Sequence, residues 1–332
     1  MESKITLGHG SGGILTERLI KDLFIKEFGN AELNKLNDSA LIKEKFNRLV
    51  FTTDSFVVSP LFFPGGDIGK LAIYGTVNDL SVMKAKPLYI SLAFIIEEGL
   101  QFSKLKKIVQ SIKKAAKESN VKIVTGDTKV VEKGKADGIF ITSSGIGEVI
   151  IETNYKPKKG DLILLSGSIA DHALAIISAR DDFKIKTNIK SDCCSLYKPI
   201  SSMIKVTSDI PFIRDATRGG IAMVLNELAE KFNIDIEIDE IKIPIKKQVS
   251  SFCDLLGFDP LTLANEGKFI AVIPANKAQN ILNVLKNNSI SKHAVAIGKI
   301  KGRGRGVVSI KTRIGGERII SKPHGEILPR IC

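Results

Sequence analysis

The first part of the chain alternates between helical and extended patterns of apolar side chains. Residues 14–28 place apolar residues at the three- and four-residue spacing of a helix, and residues 102–119 do so with a lysine-rich polar side. Residues 48–60 and 88–98 are apolar runs rich in β-branched and aromatic residues, which is typical of strands. This alternation predicts an α/β or α+β domain in which helices pack on a sheet.

The segment 67–87 is also predicted to be helical, but with an interruption. Gly75 lies in the middle of its apolar pattern, and glycine in a helix interior costs about 1 kcal/mol relative to alanine. Pro87 disfavours a helical conformation for the residue before it. We therefore expect a helix that breaks at Gly75 and ends before Pro87.

The second half of the chain has similar strand and helix patterns behind a short linker. Residues 155–161, YKPKKGD, combine Pro, Gly and Lys and mark the expected domain boundary. We expect an N-terminal α/β domain at 1–155, a C-terminal α/β domain at 156–315 and a mobile tail at 316–332. The tail has two prolines and little periodicity, so we expect it to swing.

Composition excludes several classes of protein. The 332 residues are 43% hydrophobic and 26% charged, which is ordinary for a globular protein and excludes a wholly disordered chain. No apolar run approaches the roughly 18 residues of a membrane span, and the first residues do not resemble a secretory signal, so we expect a cytoplasmic protein without a membrane partner. The four cysteines do not have the spacing of a zinc site.

The net charge of +13 raises the question of a nucleic-acid partner. Only residues 301–306, KGRGRG, form a compact basic segment, and the chain does not cluster the aromatic side chains on which bases stack. We therefore expect a solvated basic surface and no nucleic-acid partner.

Acidic and amide side chains recur in four loops at the ends of predicted strands. These loops are TTDS with Asp54, GTVNDL with Asn78 and Asp79, TGDTK with Asp127, and RDATRGG with Asp215. Mg²⁺ prefers oxygen ligands and commonly bridges the phosphates of a nucleotide. Each loop by itself is equally compatible with a turn or a helix cap. Together they predict that Asp54, Asp79, Asp127 and Asp215 bind metal and phosphate, with Asn78 in support.

The glycine-rich segment GHGSGG suits a bound phosphate. Gly10, Ser11, Gly12 and Gly13 offer backbone N–H groups directly before a predicted helix, whose dipole also favours an anion. The segment does not match the P-loop pattern or the dinucleotide-binding glycine pattern, so the common nucleotide folds are disfavoured. His9 is either a ligand contact or a polar turn residue.

Taken in order and with their spacing, the motifs resemble those of the HypE family of hydrogenase maturation factors. They are HGSGG, TTDSFVVSPLFFPGGDIGKLAIYGTVNDLSV, IVTGDTKVV, SGSIADHALAI, IPFIRDATRGG, LTLANEGK and the terminal PRIC. The aspartate loops also resemble those of aminoimidazole ribonucleotide synthetase, selenophosphate synthetase and thiamine-monophosphate kinase. The terminal PRIC distinguishes HypE from these relatives.

The resemblance implies a two-domain aminoimidazole-ribonucleotide-synthetase-like fold. In this fold the N-terminal sheets of a homodimer form a barrel-like interface, and ATP with Mg²⁺ binds near that interface. The resemblance also implies that HypF delivers a carbamoyl group to the terminal cysteine, that ATP drives its dehydration to a thiocyanate, and that the HypC and HypD proteins receive the cyanide.

The resemblance implies that Cys332 carries the carbamoyl group. Glu266 in ANEGK is the candidate base, because a carboxylate beside a glycine in a predicted turn can approach the tail closely, and Lys129 in GDTKVV is expected to stabilise developing negative charge. The alternatives are an exposed turn acid for Glu266 and a surface strand end for Lys129. Thr217 in RDATRGG is expected to contact the nucleotide.

Two other functions remain open on the sequence. One is a kinase-like or selenophosphate-synthetase-like enzyme that uses the same ATP site on a diffusible substrate. The other is a basic RNA-binding or assembly protein that acts through residues 301–306.

Overall fold

A computed structural model describes residues 3–37, 39–180 and 187–323. The chain divides into two compact units. The first contains the residues up to Leu80 together with Ala85–Val149, and the second contains Ser81–Lys84 and the residues from Ile150 onward. Cys332 lies outside the described residues. Among those residues no helix is long and apolar enough to cross a membrane.

The first unit is built on a four-stranded sheet with the order β1-β6-β4-β5, beside a small β2-β3 hairpin. Its strands are β1 (Leu49–Phe56), β2 (Phe62–Phe63), β3 (Gly66–Asp67), β4 (Ala85–Glu97), β5 (Lys122–Val131) and β6 (Ile139–Val149). Its helices are α1 (Ile14–Leu19), α2 (Lys26–Phe28), α3 (Ile68–Val82), which ends in the second unit, and α4 (Phe102–Ser119). A π-helical turn at Ile20–Ile25 joins α1 to α2, so the predicted helix at 14–28 is confirmed.

The sheet of the first unit buries one face against helices. Helix α4 turns Leu105, Ile108 and Ile112 inward and its lysines outward, as its amphipathic pattern predicts. The other face carries exposed apolar side chains, because Phe51 of β1 is 68% exposed and Ile95 of β4 is 40% exposed. Only one face of the four-stranded sheet is therefore a closed core in a single chain.

The predicted interruption at Gly75 is wrong, because α3 continues through it to Val82. Glycine stands there for packing and not for flexibility. A Cβ added to Gly75 would lie 2.7 Å from Cζ of Phe56 on β1, so a larger residue would push the helix off the sheet.

The second unit is a seven-stranded sheet with the order β13-β12-β9-β11-β7-β10-β8. Its strands are β7 (Leu162–Leu165), β8 (Phe212–Asp215), β9 (Ile234–Asp239), β10 (Phe269–Ile273), β11 (Val295–Arg303), β12 (Val308–Lys311) and β13 (Glu317–Ile319). Its helices are α5 (Asp171–Ser178), α6 (Tyr197–Val206), α7 (Gly220–Phe232), α8 (Lys247–Leu256) and α9 (Ala278–Lys286).

Both faces of this larger sheet are buried at strands β7 and β10. Along β7, Ile163 and Leu165 join one apolar cluster with helix α7, whereas Leu164 points to a second cluster with α6 and α9. Alternate residues of a strand point to opposite faces, so a continuous apolar run such as LILL fills two cores.

The predicted mobile tail begins inside the sheet. Residues Glu317–Ile319 form β13 and pair with β12, and Ile320 is only 4% exposed in the apolar cluster beside α7. The backbone carbonyl of Ile320 also accepts a hydrogen bond from the buried side chain of Asn226 at 3.1 Å. Burial of Ile320 therefore fastens the start of the tail to the second unit.

Candidate functional site

The glycine-rich segment packs directly on strand β5. A Cβ at Gly10 would lie 2.5 Å from the backbone nitrogen of Val130, so only glycine permits this approach. Gly12 has a φ of +85°, and its N–H donates to the hydroxyl of Thr16 at 3.0 Å. His9 is buried and its Nδ1 bonds the backbone N–H and the hydroxyl of Thr6, which favours the turn interpretation of this histidine.

A cavity of about 520 Å³ lies between the start of α1 and the middle of β5. Gly12 and Thr16 line it on one side, and Gly126 and Asp127 line it on the other. Its floor is apolar and includes Phe24, which stacks on a second aromatic ring, Phe94. The volume lies within the range of small-molecule sites, and the structure thus brings two of the predicted nucleotide contacts, Gly12 and Asp127, to one cavity.

Asp54 and Asp79 form a second feature of the first unit. The hydroxyl of Thr52 donates to Asp79 at 2.8 Å, and the hydroxyl of Thr76 donates to Asp54 at 3.3 Å. One threonine of β1 thus donates to an aspartate of α3, and one threonine of α3 donates to an aspartate of β1. The two hydrogen bonds hold the half-buried carboxylates close together. Asn78, in the same turn of α3, is 1% exposed.

Asp127 and Lys129 lie on the other face of the sheet and at its other edge. The register defines one row of side chains across the sheet, Ser55, Thr142, Ala93 and Asp127. Asp54 belongs to the adjacent row, which points to α3, because successive residues alternate between faces. Three strand spacings of about 4.8 Å put β1 and β5 about 14 Å apart. A single chain therefore does not unite Asp54 and Asp79 with Asp127.

No group of three or more His, Cys, Asp or Glu side chains converges on a metal-sized site within the described ranges. Mg²⁺ in nucleotide sites takes only one or two carboxylates beside phosphates and water. The metal assignments of Asp54, Asp79, Asp127 and Asp215 stay predictions.

In the second unit, the structure brings the loop with Asp215 and Thr217 against the turn with Glu266. Asp215 pairs with Phe269 across β8 and β10, and the N–H of Ala216 donates to the carbonyl of Lys268 at 2.9 Å. These segments are about fifty positions apart in the sequence, so the sheet register makes them neighbours.

Asn265 joins three segments around Glu266 and was not predicted. Its Oδ1 accepts the N–H of Ala170 at 2.8 Å, and its Nδ2 donates to the carbonyls of Ala216 at 2.9 Å and Leu263 at 3.1 Å. It is fully buried. The motif LTLANEGK contains this asparagine, but its hydrogen-bond partners are defined only by the fold.

Further buried polar residues near this turn were also missed. Asp171 is 2% exposed and accepts hydrogen bonds from Ser168 at 3.0 Å and Lys246 at 2.9 Å. His172 is fully buried, and burial lowers its pKa to about 4. Asp171 and His172 directly follow Ala170, whose N–H bonds Asn265, so these buried polar side chains lie near the turn that carries Glu266.

The described cysteines are not reactive thiols. Burial raises the pKa of Cys194 to about 12 and that of Cys253 to about 11, and Cys193 is buried. Thiolates and not thiols are the nucleophiles, so these cysteines behave as small packing residues.

Comparison with known proteins identifies the family. The model of the AIR synthase related protein, N-terminal domain, matches residues 36–149, and that of the C-terminal domain matches residues 158–311. Carbamoyl dehydratase HypE of Cupriavidus necator is 44% identical over 333 residues, which cover 99% of this chain and 95% of that protein.

Solved structures agree with the sequence match. The crystal structure of hydrogenase maturation protein HypE in complex with ATP superposes with a TM-score of 0.93 at 43% identity, over 98% of this chain and 99% of that one. HypE in the crystal structure of a HypE–HypF complex superposes with a TM-score of 0.80 at 45% identity, over 92% of this chain and 99% of that one. The two-domain fold expected from the motifs is confirmed, and this chain belongs to the HypE family of AIR synthase related proteins.

Proposed function

We propose that this protein is an ATP-dependent carbamoyl dehydratase that acts on its own C-terminus. It converts a carbamoyl group on the sulfur of Cys332 into a thiocyanate, and this supplies the cyanide ligand for the iron of [NiFe]-hydrogenase during maturation. The observation that carries the proposal is the similarity to a carbamoyl dehydratase along 99% of the chain. Cys332 itself lies outside the described residues, and its role rests on the PRIC terminus.

Dehydration of an amide requires activation of its oxygen. The oxygen of the S-carboxamide attacks the γ-phosphorus of ATP, a proton leaves the nitrogen, and ADP departs. A base then removes the second proton from nitrogen while the C–O bond breaks, which gives S–C≡N and phosphate. One carboxamide and one ATP thus yield one thiocyanate, one ADP and one phosphate. Such phosphoryl transfer depends chiefly on positioning and on neutralisation of charge.

Glu266 is the proposed base and Lys129 the proposed cation. The hydrogen bonds of Asn265 and the pairing of β8 with β10 stabilise the turn that carries Glu266. The backbone of Glu266 is therefore held in place. The 8% exposure of Glu266 in the single chain is consistent with a base shielded from bulk water. A Glu266→Gln variant is expected to bind ATP and to form thiocyanate about 100-fold or more slowly.

We place the nucleotide phosphates at Gly10, Ser11, Gly12 and Gly13, with Asp127 and Thr217 as further contacts. The cavity shared by Gly12 and Asp127 supports this placement. Oxygen ligands for Mg²⁺ would come from Asp54, Asp79, Asp127 and Asp215, with Asn78 in support, and the bound ion would neutralise charge on the transferring phosphoryl group. The fixed, half-buried carboxylates of Asp54 and Asp79 suit such a hard cation.

We propose a homodimer formed through the open face of the four-stranded sheet. Phe51 and Ile95 expose apolar surface on that face, and a second copy would cover it. Phe51→Glu is expected to give monomers in analytical ultracentrifugation, together with weaker ATP binding. A Phe51→Glu protein that remains dimeric would exclude this face.

The proposed partners are HypF, which donates the carbamoyl group, and the HypC–HypD complex, which accepts the cyanide. A related HypE has been crystallised with HypF, which supports the first partner. Because Ile320 is fixed in the sheet, only the residues after it are available to carry Cys332, and at ~3.3 Å per residue they span at most about 40 Å. A cytoplasmic location stays a prediction.

The decisive experiment follows the mass of the C-terminal peptide. The protein is incubated with HypF, carbamoyl phosphate and ATP, freed of nucleotide, and then given ATP and Mg²⁺. The peptide is expected to gain a carbamoyl group and then to lose the mass of one water. Cys332→Ser is the control and should show neither change. ATP turnover that persists unchanged in Cys332→Ser would instead favour an enzyme with a diffusible substrate.

A further inference from the structure

The second unit contains a buried ion pair that the proposed reaction does not yet use. Nζ of Lys268 lies 3.0 Å from Oδ2 of Asp192, and the two side chains are 7% and 5% exposed. Burial opposes ionisation of both groups, but their mutual attraction outweighs it, so the pKa of Asp192 lies below its usual range and that of Lys268 above. The pair is therefore charged in the folded protein.

The second oxygen of Asp192 reaches the turn of the proposed base. Oδ1 of Asp192 accepts the backbone N–H of Glu266 at 3.0 Å. Lys268 also donates to the carbonyl of Gly267 at 3.1 Å. The ion pair thus holds the turn from both sides of Gly267, immediately next to Glu266.

Packing at Gly267 shows how closely the two segments fit. A Cβ on Gly267 would lie 2.0 Å from the carbonyl oxygen of Asp192 and 2.6 Å from Sγ of Cys194. Glycine is required there because the chain of Asp192 lies directly on the turn.

The segment with Asp192 is itself secured from the opposite side. Ser191 Oγ accepts the N–H of Cys193 at 3.0 Å and lies 2.8 Å from Nδ1 of His172, which belongs to helix α5. A continuous chain of contacts therefore leads from α5 through Ser191 and Asp192 to the backbone of Glu266.

We infer that Asp192 is a positioning residue for the proposed general base, because it fixes the backbone of Glu266 through one oxygen and the flanking Lys268 through the other. A buried ion pair adds little net stability relative to apolar residues of the same volume, so stability alone does not account for two charges behind this turn. Proton removal, in contrast, is sensitive to displacements of about 1 Å. The inference rests on the proposed function of Glu266.

The test substitution is Asp192→Asn. Its side chain offers one acceptor oxygen where the carboxylate offers two, so either the Glu266 N–H or the Lys268 ammonium loses its partner. We expect single-turnover formation of thiocyanate, from carbamoylated protein and ATP, to fall by about 10- to 100-fold while ATP affinity is unchanged.

Asp161→Asn is the matched control. Asp161 is also a buried carboxylate of the second unit, 2% exposed, and accepts hydrogen bonds from the Tyr155 hydroxyl at 2.8 Å and the Lys158 N–H at 2.9 Å. It does not contact Glu266 through these bonds. We expect Asp161→Asn to lose about as much stability as Asp192→Asn and to form thiocyanate at the normal rate.

Asp192→Asn is also tested in a Glu266→Gln protein, which distinguishes a positioning role from a general structural effect. If Asp192 acts through Glu266, Asp192→Asn has no further effect on the rate in a Glu266→Gln protein. Equal fold-losses in both backgrounds would overturn the inference, as would a normal rate in Asp192→Asn alone. Amide hydrogen exchange gives a readout without activity, because the Glu266 amide should exchange faster in Asp192→Asn and unchanged exchange would also count against it.

Failure of the inference is distinguishable from failure of the proposed function. A wild-type protein that forms no thiocyanate, or a Glu266→Gln variant with a normal rate, refutes the proposed reaction or base and the inference with it. A slow Glu266→Gln beside a normal Asp192→Asn refutes only the positioning role.

Discussion

Replacement of Asn265 by alanine is expected to destabilise the second unit markedly. The substitution removes three hydrogen bonds that join Ala170, Ala216 and Leu263. The carbonyl of Ala216 keeps the backbone N–H of residue 265 as a donor at 3.0 Å. The Ala170 N–H and the Leu263 carbonyl, in contrast, lose the partner that Asn265 supplies.

An unsatisfied buried donor costs about 1–3 kcal/mol, and the remaining carbonyl and the small cavity add to this, so we expect a total of about 3 kcal/mol. For a unit of this size the corresponding fall in Tm is about 6–12 °C. Urea unfolding measures the free energy directly, provided that the m-value is unchanged.

Two variants test the reasoning behind this value. Asn265→Asp has nearly the same shape but loses both donors and buries a charge, so it should be more destabilising than alanine. Asn283→Ala removes an exposed asparagine that accepts one hydrogen bond from Gln279 at 2.9 Å, and should change stability by less than about 0.5 kcal/mol. An Asn265→Ala protein as stable as Asn283→Ala would refute the argument.

Three further predictions concern local packing and pH. Gly75→Ala should destabilise by about 1–3 kcal/mol in urea unfolding despite the better helix propensity of alanine, because its methyl group would collide with the ring of Phe56. The pKa of His172 is lowered from 6.5 to about 4, so its contribution to stability is present above pH 6.5 and is lost as the pH falls towards 4. By linkage this loss amounts to about 3 kcal/mol, measurable as urea midpoints across this range. Gly10→Ala should weaken ATP binding at least about 10-fold in calorimetry, since its Cβ meets the backbone of Val130 and displaces the glycine segment.

Each of these predictions has its own control. Phe56→Leu should partly rescue Gly75→Ala, and an unrescued double variant would argue against the collision. His172→Gln should flatten the pH dependence, and an unchanged slope would show that another group titrates. Gly316→Ala, whose methyl group would meet only the Thr312 hydroxyl at 3.3 Å, should bind ATP normally. Weakened binding in that variant would indicate a nonspecific effect of added methyl groups.

The local pattern of apolar residues was sufficient to predict most helices and strands. It did not predict the packing contacts between them. The helix at 102–119 and the strands on either side of it follow from periodicity, because amphipathic spacing depends on neighbours three or four positions away. Gly75 was misinterpreted because its packing partner, Phe56, is on strand β1 and not on the same helix. The start of the tail was predicted too early because the burial of Ile320 depends on a distant helix.

The sequence by itself determined the alternating α/β organisation, the candidate residues Gly12, Asp127 and Glu266, and the family through ordered motifs. These features depend on neighbouring residues or on the order of motifs along the chain, so they can be predicted without knowledge of tertiary contacts. Tertiary structure alone decided that Asp54 and Asp127 lie at opposite edges of one sheet, and that Asn265 and Asp192 surround the turn of Glu266. The reason is that strand order and hydrogen-bond partners arise from pairing between segments far apart in the chain, which no local pattern of side chains specifies.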